Sequence, residues 1–401
     1  MHRLADGLSE IGGALDDPLE AGLAASQFCE AWALPEPFDG RDLEAAVGVP
    51  VVRRLEELDD DPSLAMLRAM QVGANPGVAG EAAAAADRMV AAGRVDPAWW
   101  PDAAAIRPSR AARLGEDVFG DGDTVLVEYA DGAGRPFTVG VFVDRNAGGI
   151  ATGLLVGGSI EDHRAGLERH ADRGEEFGWI AVHELSLEDA GRRALTALRR
   201  TAATFEPEVG DDFAALHAFV VRRLADVASD VADDDGPAVA DADERRRLVD
   251  AFVAARGAGP WTPPGAPDAM RMVAEEAVGF AADHAGGDPL RWSPVVVEAF
   301  LLDWLPRRAA LPSAVHGSVP AIVEAWVRWI AERRAMPPRA IELLVDAVGR
   351  HAPAMLEALG DESYWGPAKT IVMRALDAGV DVSDPDAMRA FVERRPDDRD
   401  A

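Results

Sequence analysis

The chain has 401 residues, of which 48% are hydrophobic, 70 are acidic and 40 are basic. The formal net charge of −30 argues against direct binding to nucleic acid or anionic membranes, because both interactions depend on lysine and arginine side chains. The length predicts two or three domains, and the hydrophobic fraction excludes a chain that is disordered throughout. A single cysteine, Cys29, excludes an internal disulfide framework and a multi-cysteine zinc site.

Residues 1–118 predict a helical N-terminal lobe. Apolar residues recur near helical spacing, and polar turns such as Asp59–Ser63 separate the helical segments. Cys29 falls within the first of these segments, where we expect a buried and unreactive thiol. No apolar run is long enough to span a membrane and none follows the first basic residues, which predicts a cytoplasmic protein.

Residues 119–228 change to the two-residue period of strands and predict a small α+β sheet domain. Strands are expected over Thr124–Ala130, Phe137–Asp144 and Ile150–Val156, followed by a helix, a fourth strand at Gly178–Leu185 and two more helices. The predicted order is β-β-β-α-β-α-α, with the helices on one face of the sheet. With the flanking helical regions, this predicts a mixed, mostly α fold.

An acidic linker over residues 229–244 is expected to follow the sheet domain. It carries seven carboxylates and no basic side chain, and repulsion between like charges favours an extended, solvated segment. The remaining chain predicts a helical C-terminal domain, residues 245–395, and a polar tail, residues 396–401.

Six of the ten tryptophans lie in the predicted C-terminal domain. They are Trp261, Trp292, Trp304, Trp326, Trp329 and Trp365. The spacing of Val323, Trp326, Val327 and Ile330 is that of an apolar helix face, so that we expect most of these tryptophans to pack a helical core.

Four residues of this domain are predicted to contact a partner. Arg328 and Trp329 fall outside the apolar stripe of their helix, and Tyr364 and Trp365 precede a Gly-Pro turn. Exposed aromatic and arginine side chains are the residue types that contribute most to protein interfaces.

Four other residues are the first candidates for catalysis. Asp144 and Asn146 lie in a glycine-rich turn. Their side-chain oxygens could bind a hard cation, or the segment could simply be the turn of a hairpin. His163 has a second histidine seven positions on, too far along a helix to share one metal ion. His183 ends the fourth predicted strand as a lone general base. Because these groups form no coupled set, we expect no metal and no cofactor.

The segments Trp292–Arg308, Asp17–Ala21 and Val143–Ile150 resemble parts of uncharacterised cytoplasmic proteins of high-GC bacteria. Some of those proteins carry a cysteine-rich zinc tail, which a chain with one cysteine cannot form. The resemblance implies a cytoplasmic bacterial setting and assigns no catalytic residue.

These observations predict a non-catalytic protein-interaction or regulatory module that presents aromatic helical and acidic surfaces. The charge suits a basic protein partner rather than nucleic acid or a membrane. Two alternatives remain open. One is a hydrolase-type enzyme with a site between the sheet domain and a helical lobe, and the other is an acidic mimic of nucleic acid.

Overall fold

The computed structural model forms two compact units. The first comprises Met1–Asp117 and Asp121–Asp234, and the second comprises Val118–Gly120 and Asp235–Ala401. The residues that the structure describes are 7–8, 11–32, 44–115, 118–171, 182–228, 240–256, 266–382 and 384–393.

Parts of the predicted domain organisation lie outside the described residues. These parts are positions 229–239 of the acidic linker, Trp261 and the tail 396–401. The last residues of the predicted linker begin a helix at Ala242. The division into three lobes stays a prediction. In the structure, residues of the predicted N-terminal lobe and of the sheet belong to one hydrophobic core.

The first unit contains a five-stranded antiparallel sheet, and the predicted mostly α fold with an α+β sheet domain is confirmed. Its strands are β1 (Arg107–Leu114), β2 (Gly122–Ala130), β3 (Pro136–Asp144), β4 (Ile150–Val156) and β5 (Val182–Leu185). They lie in the order β4-β3-β2-β1-β5. The meander β2–β4 forms where it is predicted, because each strand alternates side chains between glycine-containing turns.

Strand β1 is absent from the sequence prediction, which assigned its residues to the helical lobe. The segment contains no β-branched residue, and its pairing with β2 shifts register between Pro108 and Arg110. It nevertheless lies between β2 and β5 and pairs with both. Cross-strand pairing therefore forms this strand in spite of its weak local propensity.

The helices of the first unit lie on both faces of the sheet, which corrects the prediction of helices on one face. They are α1 (Pro18–Phe28), α2 (Val49–Leu58), α3 (Asp61–Gly73), α4 (Pro76–Ala91), α5 (Trp100–Ala104), α6 (Ile160–Ala171), α7 (Leu187–Ala203) and α8 (Phe213–Leu224). Most pack with one sheet face in the main core. Helix α6 covers the other face, where Ile160 packs with Ala112 and Leu126.

Cys29 confirms the prediction of a buried thiol. The side chain is fully enclosed in the main core of the first unit. Burial raises the pKa of the thiol to about 12, so that the reactive thiolate is not populated near neutral pH.

Helices α1 and α3 approach each other so closely that their backbones touch. A Cβ atom added at Gly73 would lie 1.8 Å from the carbonyl oxygen of Gly22. Only glycine permits this distance at the crossing point. The contact fixes the end of α3 against α1.

The second unit is helical in its described part. Its helices are α9 (Ala242–Arg256), α10 (Ala266–His284), α11 (Pro294–Ala299), α12 (Leu305–Arg308), α13 (Ser313–His316), α14 (Val319–Arg333), α15 (Pro338–Gly360), α16 (Pro367–Asp377) and α17 (Pro385–Glu393). The Trp326 ring centroid lies 5.0 Å from that of Phe252 and 6.2 Å from that of Trp292. This aromatic core confirms the predicted packing of the stripe around Trp326.

Lys369 of α16 is the only lysine in the chain and is 2% exposed. Its Nζ donates hydrogen bonds to the carbonyl oxygens of Leu305 at 3.2 Å and Pro306 at 2.8 Å. These carbonyls belong to the short helix α12, so that the ammonium group caps its end. Burial lowers the pKa of Lys369 to about 8.

The α1–α3 contact predicts opposite effects for two glycine-to-alanine substitutions. Gly73→Ala should destabilise the first unit by at least about 2 kcal/mol, because the new methyl group has no room. A Cβ at Gly80 of α4 meets no atom within 4 Å, and Gly80→Ala should stabilise this exposed helix position by about 1 kcal/mol. Urea unfolding followed by circular dichroism measures both. Equal effects would contradict the contact.

His217 of α8 predicts a pH dependence of stability. Its Nδ1 is buried without a hydrogen-bond partner among the described residues, and burial lowers the pKa of His217 from 6.5 to about 4. The unfolded chain therefore binds this proton at a higher pH than the folded chain. We expect the free energy of unfolding to fall by about 2 kcal/mol as the pH drops from 6.5 to about 4.

His217→Leu should flatten the pH dependence over that interval, as measured by urea unfolding at several pH values. His183→Leu is the matched control, because His183 is exposed on β5. A slope that persists in His217→Leu would show that another group is responsible.

Candidate functional site

Asp144 and Asn146 form the turn between β3 and β4. Asp144 Oδ1 accepts hydrogen bonds from the backbone N–H groups of Asn146 at 2.7 Å and Ala147 at 3.2 Å. Gly148 and Gly149 have φ values of 82° and 76°, in the left-handed region that favours glycine. The carboxylate thus stabilises the hairpin, which is the simpler of the two interpretations of this sequence.

His163 lies on helix α6, whereas His183 lies in the sheet. His163 Nε2 is 3.1 Å from the Gly157 carbonyl oxygen, and its N–H donates to that oxygen in the corresponding tautomer. His183 is exposed on the edge strand β5. Strands β3 and β5 are three strand spacings apart in the sheet, about 14 Å. The structure therefore does not bring His183 together with Asp144 and Asn146.

Within the described ranges, no group of three or more histidine, cysteine, aspartate or glutamate side chains has the geometry to hold a metal ion.

Trp329 corrects the prediction of an exposed partner contact, because it is only 5% exposed. Its ring centroid lies 5.2 Å from that of Trp326 and 5.7 Å from that of Phe252. The Arg333 guanidinium carbon is 4.8 Å from the ring centroid. Trp329 belongs to the aromatic core, because that core is wider than a single i, i+3, i+4 stripe.

The other three predicted partner residues reach the surface of the second unit. Arg328 is exposed, and its Nε donates to Glu324 Oε1 at 2.9 Å. Tyr364 is 52% exposed. Trp365 is half-buried, and its Nε1 donates to the Leu359 carbonyl oxygen at 3.3 Å.

Large apolar side chains are also exposed in the last helices of the second unit. We call Tyr364, Ile371, Leu376, Val382 and Val392 together the C-terminal apolar residues. Exposed carboxylates occur in the same stretch of chain, at Asp361, Glu362, Asp386 and Glu393. This part of the chain therefore offers apolar contacts beside negative charge.

A cleft of about 350 Å³ opens in the first unit beside α3, α5, the start of β1 and the end of α8. We call it the arginine cleft. Its lining consists of Gln71, Val72, Trp100, Ala103, Ala104, Ile106, Arg107, Pro108, Arg222, Arg223 and Asp226.

Arg223 is the most deeply buried ionisable side chain of the cleft, at 5% exposure. Its Nη2 donates to the Val72 carbonyl oxygen at 3.1 Å, and its Nη1 lies 3.5 Å from Asp226 Oδ2. Its Nε has no hydrogen-bond partner among the described residues. Burial lowers the pKa of Arg223, because its partners do not fully replace the lost hydration of the charge.

The other ionisable groups of the cleft are Arg107, Arg222 and Asp226. Arg222 Nη1 donates to Asp226 Oδ1 at 2.8 Å. Arg107 is exposed, and its Nη1 donates to the carbonyl oxygens of Ala104 at 2.9 Å and Ile106 at 2.6 Å. Three arginines and one aspartate therefore line the cleft. The cleft therefore holds two excess positive charges in a chain of net charge −30.

Trp100 contributes the largest apolar side chain of the cleft. The guanidinium carbon of Arg68 lies over its ring, 4.4 Å from the centroid. Arg68 Nε donates to Asp96 Oδ1 at 2.7 Å and its Nη1 to Asp87 Oδ1 at 2.9 Å. Arg68 is thus already neutralised, and its contact with Trp100 orients the ring.

The sequence alone does not identify this cleft. Arginine supplies 39 of the 40 basic residues, so that no single arginine stands out, and Arg107 lies far from Arg222 and Arg223 along the chain. One signal is present in α8. Arg223 follows Phe219 by four positions and therefore falls on the buried face of the helix.

None of the helices among the described residues combines the length and apolar composition needed to cross a membrane. No family model matches the chain, and neither a curated protein nor a solved structure matches it.

Proposed function

We propose that the protein is a non-catalytic regulatory module that binds a small anion in the arginine cleft. The observation that carries the proposal is the lining of the cleft, which contains three arginines and one carboxylate residue. Arginine stays protonated at physiological pH, so that these groups attract an anion without exchanging protons with it.

Asp226 occupies the place of an anionic ligand in the free protein. Its two carboxylate oxygens lie 2.8 Å from Arg222 Nη1 and 3.5 Å from Arg223 Nη1. The longer distance leaves Arg223 the less well compensated of the two arginines. An anion in the cleft supplies the missing negative charge to Arg223 and competes with Asp226 for Arg222.

Substitutions on the two sides of this competition should change anion affinity in opposite directions. Asp226→Asn should strengthen binding of inorganic phosphate about fivefold, because the competing charge is lost, and Arg222→Met should weaken it about fivefold. Isothermal titration calorimetry at low salt, in a buffer without phosphate, measures both.

Arg339→Met is the matched control for the loss of one positive charge. Arg339 is exposed on α15 of the second unit, with its Nη1 3.1 Å from Glu342 Oε2. Phosphate binding that is absent, or that both cleft variants leave unchanged, would contradict an anion site at Arg222 and Asp226.

We also propose that the second unit contacts a basic protein partner. The supporting observation is the exposure of the C-terminal apolar residues in a stretch that also carries exposed carboxylates. Apolar side chains supply affinity, and the carboxylates select a partner of opposite charge. Arg328, Tyr364 and Trp365 keep their proposed role as contact residues, whereas the buried Trp329 is excluded from it.

Binding of a synthetic amphipathic helix rich in leucine and lysine tests this second proposal. Tyr364→Ser should weaken it about tenfold in fluorescence anisotropy, and high salt should weaken it further. Val95→Ser is the control, because Val95 is an exposed apolar residue of the first unit. Equal losses for Tyr364→Ser and Val95→Ser would indicate nonspecific binding and contradict the proposal.

The remaining sequence-based predictions stay proposals. A hydrolase-type activity keeps Asp144, Asn146, His163 and His183 as its candidate residues, but His183 on β5 lies three strand spacings from Asp144 on β3. Mimicry of nucleic acid rests on the net charge alone. The cytoplasmic setting rests on the pattern of apolar residues in the sequence and on the resemblance to cytoplasmic bacterial proteins.

A further inference from the structure

The arginine cleft combines a charged side with an apolar side. Arg107, Arg222 and Arg223 form the charged side, and Trp100 lies on the apolar side. We infer that its ligand is a small organic dianion with a flat aromatic body, of which an aromatic phosphomonoester is the simplest case. The inference rests on the proposed function and specifies the chemistry of the ligand.

The charge of the cleft determines the preferred charge of the ligand. After Asp226 neutralises one of the three guanidinium groups, two positive charges remain. A phosphomonoester carries a charge of about −1.5 to −2 at pH 7 and three strong acceptor oxygens. A monocarboxylate supplies one negative charge and leaves the second positive charge uncompensated.

The hydrogen-bonding groups of the arginines match several acceptor oxygens. Each guanidinium has five N–H donors in a planar fork. Arg223 lines the cleft although its Nε is itself buried, and Arg222 donates its Nη1 to Asp226. The two oxygens of the Asp226 carboxylate contact Arg222 and Arg223, and a phosphate group with three terminal oxygens can engage one more guanidinium group than a carboxylate does.

The apolar side of the cleft favours an aromatic body. Val72, Ala103, Ile106 and Pro108 line the cleft together with the Trp100 ring. Because Arg68 orients this ring through its own contact with it, the ring offers a rigid surface at small entropic cost. Indole rings pack favourably against other flat aromatic groups.

The size of the cleft suits a small ligand group. A volume of about 350 Å³ lies at the lower end of the range for small-molecule sites. The cleft has room for one aromatic ring with its phosphate.

Four probes separate the contributions of charge and aromatic surface in calorimetric titrations of the full chain. They are phenyl phosphate, inorganic phosphate, benzoate and benzyl alcohol. We expect phenyl phosphate to bind about tenfold more tightly than inorganic phosphate or benzoate, and benzyl alcohol not to bind.

Two variants assign these contributions to residues. Trp100→Leu should weaken the binding of phenyl phosphate about fivefold and leave the affinity for inorganic phosphate unchanged, because only the aromatic contact is lost. Arg223→Met should abolish binding of both. Because Arg223 is buried and donates a hydrogen bond to Val72, its substitution can affect folding. Arg222 is half-buried, and Arg222→Met should weaken the binding of phenyl phosphate and inorganic phosphate about equally with less risk to folding. Arg339→Met should change neither.

The possible failures are distinguishable. Suppose that inorganic phosphate binds and that Arg222→Met weakens its binding. The aromatic assignment is then wrong, and the anion site is retained, if phenyl phosphate binds no more tightly than inorganic phosphate or if Trp100→Leu leaves the affinity for phenyl phosphate unchanged. If benzoate binds as tightly as phenyl phosphate, the dianion assignment is wrong. If no anion binds, both this inference and the proposed function are wrong.

Discussion

The arginine cleft depends on the hydrogen bonds of one buried residue, Arg223. Its Nη2 binds the Val72 carbonyl oxygen at the end of α3, and its own carbonyl oxygen accepts the hydroxyl of Tyr129 from β2. One residue thereby joins two helices and a central strand of the sheet. A buried charge with incomplete partners costs stability, and the anion that we propose for the cleft would offset part of that cost. The same side chain therefore lines the cleft and supports the proposal of an anionic ligand.

Predictions from sequence succeeded where one local pattern determined the structure. The meander β2–β4 alternates side chains between turns, and Asp144, Gly148 and Gly149 have the residue types that such a turn requires. The stripe of Val323, Trp326 and Ile330 packs the core as its spacing predicts. In each case the neighbours that fix the conformation lie within a few positions along the chain.

Predictions failed where segments distant in the sequence determine the conformation or burial of a residue. Strand β1 has little strand propensity and forms because β2 and β5 lie on either side of it. Trp329 falls outside the stripe of its own helix but is buried against Phe252 of another helix. The arginine cleft joins Arg107 to a pair of arginines more than a hundred positions later. The periodicity of a single helix does not predict contacts between distant segments. It does indicate that Arg223 lies on the buried face of α8.

Lys369 gives the second unit a built-in chemical reporter. As the only lysine side chain, it is the one internal target for an amine-directed acylating reagent. Acylation needs a free lone pair on Nζ, yet that nitrogen is protonated over much of the neutral range and donates to two carbonyl oxygens. The rate of its labelling therefore follows the detachment of α16 from α12, and mass spectrometry of the unmodified sequence can record that opening without any engineered probe.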